Sequence, residues 1–113
     1  MLKIEAVIQP SKLADVKASL QDLGVTKIAI SEVLIQAGPS AHKLYYRGAE
    51  YYACAPMMKL EMLVSSFCVD EVVEAIAQTA RTGQFSDDGT ILISEVADAM
   101  NIRSGERVEF ILS

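Results

Sequence analysis

The sequence predicts an α+β fold running strand, helix, strand, strand, helix, strand, the ferredoxin-like βαββαβ sandwich. Alternating or β-branched runs recur near residues 1–7, 27–36, 58–64 and 90–93. Between them, two stretches carry apolar residues at helical spacing. A length of 113 residues suits one domain, 1–113, able to bury an ordinary core without metal or disulfide staples.

In the first strand Leu2, Ile4, Ala6 and Ile8 alternate with Lys3, Glu5 and Val7, and Pro10 stops it. Ser11 is placed to cap a helix in which Leu13, Val16, Leu20 and Leu23 share a face, and Gly24 to end it. Ile28, Ile30, Val33 and Ile35 mark the second strand. Residues 37–56 break every period, with Pro39 near the start and Pro56 at the end. A loop of about twenty residues is uncommon in a compact domain and is usually functional. Met58, Leu60, Met62 and Val64 then alternate with Lys59, Glu61 and Leu63 as a third strand. Asp70 is placed to cap a second helix with Val72, Val73, Ile76 and Ala80 inward, ending near Gly83. A fourth strand covers 90–93, a short helical turn 96–102 and a final strand 107–112. Three strands carry apolar residues on both faces, so an oligomer such as a trimer is expected to bury the sheet face that the helices leave open.

Composition removes several functions. Hydrophobic residues at 51% and charged residues at 22% make the chain globular. No run approaches the roughly 18 apolar residues of a membrane span. Glu5 falls where a secretory signal would be apolar, which predicts a cytoplasmic protein. A net charge of −5 with scattered lysines and arginines argues against nucleic acid as a partner. Cys54 and Cys68 are too far apart for a CxxC motif and read as free thiols. His42 is the single histidine, so neither a catalytic triad nor a histidine-rich metal centre is expected, and the chain reads as a non-enzyme with no obligatory metal.

Three segments exceed what a core requires. Residues 45–52 hold four tyrosines around Arg47-Gly48, a composition suited to partner contact. Residues 82–90 join a helix to a strand through Gly83 and Gly89, where successive backbone N–H groups can cradle an anion. Residues 101–107 contain Arg103 and Arg107, whose guanidinium groups suit phosphate.

Taken together these segments resemble the PII signal-transduction family over essentially the whole chain. The resemblance rests on the opening from Lys3 to Pro10, on Ser31-Glu32-Val33 and on Tyr46-Arg47-Gly48-Ala49-Glu50-Tyr51, which matches the family's T-loop signature. Ala80-Arg81-Thr82-Gly83, Asp88-Gly89 and Ile102-Arg103-Ser104-Gly105-Glu106 match its B- and C-loops. The resemblance implies a T-loop over about 37–56, a B-loop over 82–90 and a C-loop over 101–107. It also implies a homotrimer with ATP, ADP or AMP held in the clefts between subunits. Adenine and ribose would meet Ile28, Ala29, Glu61, Leu63 and Val64, and the phosphates Gly38, Asp88, Gly89, Thr90 and Arg103 of the adjoining loops. The T-loop would then engage a target protein, a membrane transporter or a metabolic enzyme. Tyr51 stands where nitrogen-type members are uridylylated.

The departures from the family pattern point elsewhere. Pro39 replaces the glutamine that coordinates Mg²⁺ and assists 2-oxoglutarate, and the lysine that pairs with 2-oxoglutarate falls near Met57-Met58. Thr90 replaces the B-loop lysine and Asn101 the first C-loop arginine. Two lost charge-assisted hydrogen bonds cost about 3 kcal/mol, on the order of a hundredfold in affinity. The expectation is therefore ADP or AMP over MgATP, loss of the 2-oxoglutarate response, and bicarbonate as a second ligand near Lys43 and Arg47, as in carbon-associated relatives. The competing readings are a nitrogen-type regulator answering to ATP and 2-oxoglutarate, and a metal-binding or redox module of similar fold.

Overall fold

Strand β1 (Leu2–Ile8) opens the chain, and Pro10–Lys12 form one 3-10 turn before helix α1 (Leu13–Asp22). Strands β2 (Ala29–Gln36), β3 (Lys43–Tyr46), β4 (Ala49–Tyr52) and β5 (Cys54–Val64) follow, then helix α2 (Val69–Ala80) and strand β6 (Gly89–Glu95). The computed structural model describes residues 1–36, 43–46, 49–52, 54–83 and 88–108, with the backbone alone for 43–46 and 49–52. The main sheet has the order β2-β5-β1-β6, antiparallel throughout, and β3 pairs with β4 as a separate hairpin. This is the ferredoxin-like arrangement that the sequence predicts, with a hairpin inserted between its second and third strands.

The β1–β5 register couples Ile4 to Met62 and Ala6 to Leu60. Cross-strand partners share a face, so these side chains, with Ile8 and Val64, form one apolar surface. Helix α1 lays Val16 and Leu20 on that surface, and α2 lays Val72, Ile76 and Ala80 beside them. Leu13, Leu23, Met58 and Val73 fill the margin. Gly24 ends α1 as expected: at φ 85° its N–H donates to the Gln21 carbonyl, while Val25 N–H reaches the Leu20 carbonyl. That pair of bonds is a Schellman closure, and it seats Val25 in the core.

Several boundaries differ from expectation. Ser11 caps nothing, because the 3-10 turn begins at Pro10 and makes no side-chain cap. Helix α2 begins one residue before Asp70, which lies in its first turn with Glu71, where negative charge favours the helix dipole. Pro56 does not close the loop but sits inside β5. The β1 ladder ends at Ile8↔Met58, so Pro56 has only Leu34 of β2 opposite it, and an edge position tolerates a residue without an N–H. The helical turn expected at 96–102 is absent. A short hairpin closed by a Met100↔Arg107 bridge takes its place. Of the strand expected over 107–112, residues 109–112 lie outside the described residues.

The open face is also unlike the expectation of an apolar sheet. On β1 and β5 it presents Lys3, Glu5, Lys59 and Glu61. Exposed apolar residues gather instead on the two edge strands, as Ile30, Leu34 and Ile35 of β2 and Leu92 and Ile93 of β6.

Leu20 has no solvent exposure, whereas Leu23 is only half-buried. Leu20→Ala should lower unfolding free energy by about 2–5 kcal/mol, and Leu23→Ala by clearly less. Urea denaturation of the two variants checks the ranking.

Candidate functional site

Two segments that the sequence singles out are closed by local contacts among the described residues. At the first, Gly89 starts β6 opposite Ile8 with φ 115°. A Cβ there would lie 1.8 Å from the Val7 carbonyl oxygen, so the two backbones meet more closely than any side chain permits. The Thr82 hydroxyl donates to the Asp88 carboxylate and ties the end of the preceding segment to the start of the strand. Beside this closure lies an open cleft of about 280 Å³, with Val7, Ile76 and Ala80 on its floor and Arg81, Asp88 and Thr90 at its rim.

The second loop is the hairpin at 100–107. The Asn101 Oδ1 accepts the N–H groups of Arg103 at 3.0 Å and Ser104 at 3.2 Å. Gly105, at φ 71°, donates its N–H to the Asn101 carbonyl at 2.9 Å, and Asn101 N–H donates to Glu106 at 2.8 Å. An Asn side chain that binds the following backbone in this way outcompetes a helical turn. Arg107 pairs with Asp98 at 3.0 Å. The Arg103 guanidinium makes no ion pair or hydrogen bond among the described residues.

The chain does not bring these loops together. Gly89 lies beside Ile8 at one end of β6, and Glu95 lies beside Leu2 at the other. Seven residues of strand separate the ends by roughly 20 Å, and the Arg103 hairpin follows the far end, where Val96 N–H meets the Met1 carbonyl.

The residues expected around an adenine ring divide between faces. Ala29 is the register partner of Glu61, and Leu63 shares their face, while Val64 is sealed in the core. Val64 as a whole residue has no solvent exposure. Ile28 packs partly into the core. Gly38 and Arg47 lie outside the described residues. The backbone of Lys43 is opposite Tyr52, and that of Tyr51 opposite Leu44, in the β3–β4 hairpin.

Sequence reading missed the ionic network on the open face. Lys3 reaches Glu5 at 2.8 Å and Glu61 at 3.6 Å, and Lys59 reaches Glu61 at 2.9 Å and Glu5 at 4.0 Å. The hydrogen bond from Lys59, aided by the charge of Lys3, holds the Glu61 carboxyl below its ordinary 4.5. Hydrogen bonds to Glu5 and Glu61 respectively raise Lys3 and Lys59 above 10.5. A signal was present in the identical Lys-x-Glu spacing of Lys3/Glu5 and Lys59/Glu61, but only the register shows that the two pairs meet.

Comparison with known proteins decides the family. A model described as nitrogen regulatory protein P-II matches residues 1–106. The chain belongs to the P-II family. It is 44% identical over 110 residues to the nitrogen regulatory protein P-II of Haemophilus influenzae, covering 96% of this chain and 97% of that protein. Identity is 40% over 107 residues to nitrogen regulatory protein P-II 1 of Escherichia coli K12, covering 94% and 95%. It is 39% over 108 residues to the protein of Rhodospirillum rubrum, covering 95% and 96%. P-II proteins are signalling regulators and not enzymes, which agrees with the sequence reading.

Two outcomes follow from this geometry. Gly89→Ala should destabilise the fold far more than Gly83→Ala. The former meets backbone at 1.8 Å, whereas the latter has open space and costs only the positive φ, about 1–2 kcal/mol. Thermal unfolding compares them. Because the Glu61 pKa is depressed, its stabilising contribution is present above pH 4.5 and is lost as pH falls through the lower native value. The urea-midpoint difference between wild type and Glu61→Gln should hold at neutral pH and shrink below pH 4.5. Added salt should reduce it, since the charges are at the surface.

Proposed function

We propose that this chain is a P-II regulator that binds an adenine nucleotide between copies of itself, favours ADP or AMP over MgATP, and acts on a target protein through its T-loop. The observation that carries the reading is the placement of the Gly89 closure and Arg103 at opposite ends of β6. One phosphate chain spans far less than the roughly 20 Å between them, so both loops serve one nucleotide only across two copies. The exposed apolar residues Ile30, Leu34, Leu92 and Ile93 on the edge strands support association of copies, and a homotrimer is the assembly we favour.

The weaker hold on outer phosphates rests on Thr90 and Asn101. A hydroxyl stands at the cleft rim where the family pattern has a lysine, and the Asn101 side chain is spent on its own loop. At the anion end, Met57 is buried opposite Val33 and supplies no charge. Pro39 offers no donor to a metal or a keto acid, and bicarbonate held near Lys43 and Arg47 is the effector we favour. Engagement of a membrane transporter or metabolic enzyme, and a cytoplasmic setting, belong to the same reading. No helix among the described residues is long and apolar enough to cross a membrane.

A second reading has its own support: the relatives named above are called nitrogen regulatory proteins. On that reading ATP and 2-oxoglutarate are the effectors and Tyr51 is a modification site. Titration calorimetry with ADP, AMP and ATP, with and without Mg²⁺ and 2-oxoglutarate, separates the two. ADP or AMP should bind at least as tightly as MgATP, with no gain from 2-oxoglutarate. Tight MgATP binding strengthened by 2-oxoglutarate overturns the first reading in favour of the second.

A further inference from the structure

Asn101 stands where the family pattern has an arginine, and charge counting treats the exchange as a simple loss. The hairpin shows what the side chain does instead. Its Oδ1 takes two backbone N–H groups at once, those of Arg103 at 3.0 Å and Ser104 at 3.2 Å. The same residue's N–H and carbonyl close the hairpin to Glu106 and Gly105. The Ser104 hydroxyl oxygen accepts Glu106 N–H at 3.2 Å. Every one of these bonds fixes the backbone on which Arg103 is mounted. Meanwhile the neighbouring cation, Arg107, is neutralised by Asp98 at 3.0 Å. The tip itself stands clear of the domain, with Ile102 97% exposed, so local bonds are what hold its shape.

We infer that Asn101 is a positioning residue for nucleotide binding: it fixes the 101–105 turn so that the Arg103 guanidinium, unpaired among the described residues, is aimed in advance at a ligand phosphate. This rests on the reading of Arg103 as a phosphate contact. Pre-organisation raises affinity by removing ordering that would otherwise occur on binding. It acts without touching the ligand, so its effect vanishes when Arg103 is removed. An arginine at 101 adds a charge but cannot accept the two N–H groups, so the two residues supply different things to the same loop.

A double-mutant cycle on the full chain tests this, with ADP affinity read by calorimetry and thermal unfolding confirming the fold. Arg103→Ala should weaken ADP by about tenfold or more. Asn101→Ala should weaken it by about three- to tenfold, and the double variant should be no weaker than Arg103→Ala alone. In the free protein, amide exchange at Arg103 and Ser104 should accelerate in Asn101→Ala and stay slow in Asn101→Asp, which keeps the acceptor. Losses that add in the double variant would mean that Asn101 meets the nucleotide independently, and would overturn the inference. So would unchanged ADP affinity in Asn101→Ala beside a clear loss in Arg103→Ala. No loss in Arg103→Ala would overturn the phosphate reading itself, and this inference with it.

Discussion

The register of β1 against β5, from Leu2↔Val64 to Ile8↔Met58, is the constraint on which the rest of the molecule depends. It aligns Ile4, Ala6, Ile8, Leu60, Met62 and Val64 on the face that both helices cover. The same alignment brings Lys3, Glu5, Lys59 and Glu61 together on the other face, each cation next to two carboxylates. A slip of one residue would put charges beneath the helices and apolar side chains in water. The hydrophobic face supplies the energy. The ionic lattice is weak in water and its two shortest pairs, Lys3–Glu5 and Lys59–Glu61, lie within single strands, so the apolar face and not the charges fixes the register.

The register also determines where the sheet narrows to two strands. Beyond Ile8↔Met58, β1 ends while β2 and β5 continue paired to Gln36↔Cys54. From Met57 to Cys54 the sheet is therefore a two-stranded ribbon of β2 and β5. Pro56 is tolerated in that ribbon, and its neighbour Met57 returns to the buried interior. Met58, opposite Ile8, is where β5 meets the packed core.

The elements legible in the sequence were those where one period dominates. Alternation in β1 and β5, the α1 stripe at Leu13, Val16, Leu20 and Leu23, and Gly24 as terminator all rest on burial or on a positive φ, and each is local. Readings failed where two local preferences compete. Ser11 and Asp70 are good caps by type, yet Pro10 starts the 3-10 turn earlier and α2 begins one residue before Asp70. Pro56 reads as a breaker until the pairing shows it at an edge. The apolar spacing of Val96, Met100 and Ile102 suggests a helical turn, but the Asn101 side chain captures the backbone first. Of the candidate site, the glycine at 89 and the arginine at 103 were visible as residues. Their separation was not, because it depends on which ends of β6 they occupy.

That separation has a thermodynamic consequence. A ligand that touches both the Gly89 closure and Arg103 binds only the associated state, and so stabilises association by RT ln(1 + [L]/Kd). The coupling is reciprocal: whatever strengthens contact between copies raises ligand affinity by the same factor. Within a copy, the Thr82–Asp88 bond and the Asn101 turn each close their own segment locally. The described residues thus divide between local closures at the two ends of β6 and a β2–β5 ribbon that outruns β1, a division made by where the β1 ladder stops.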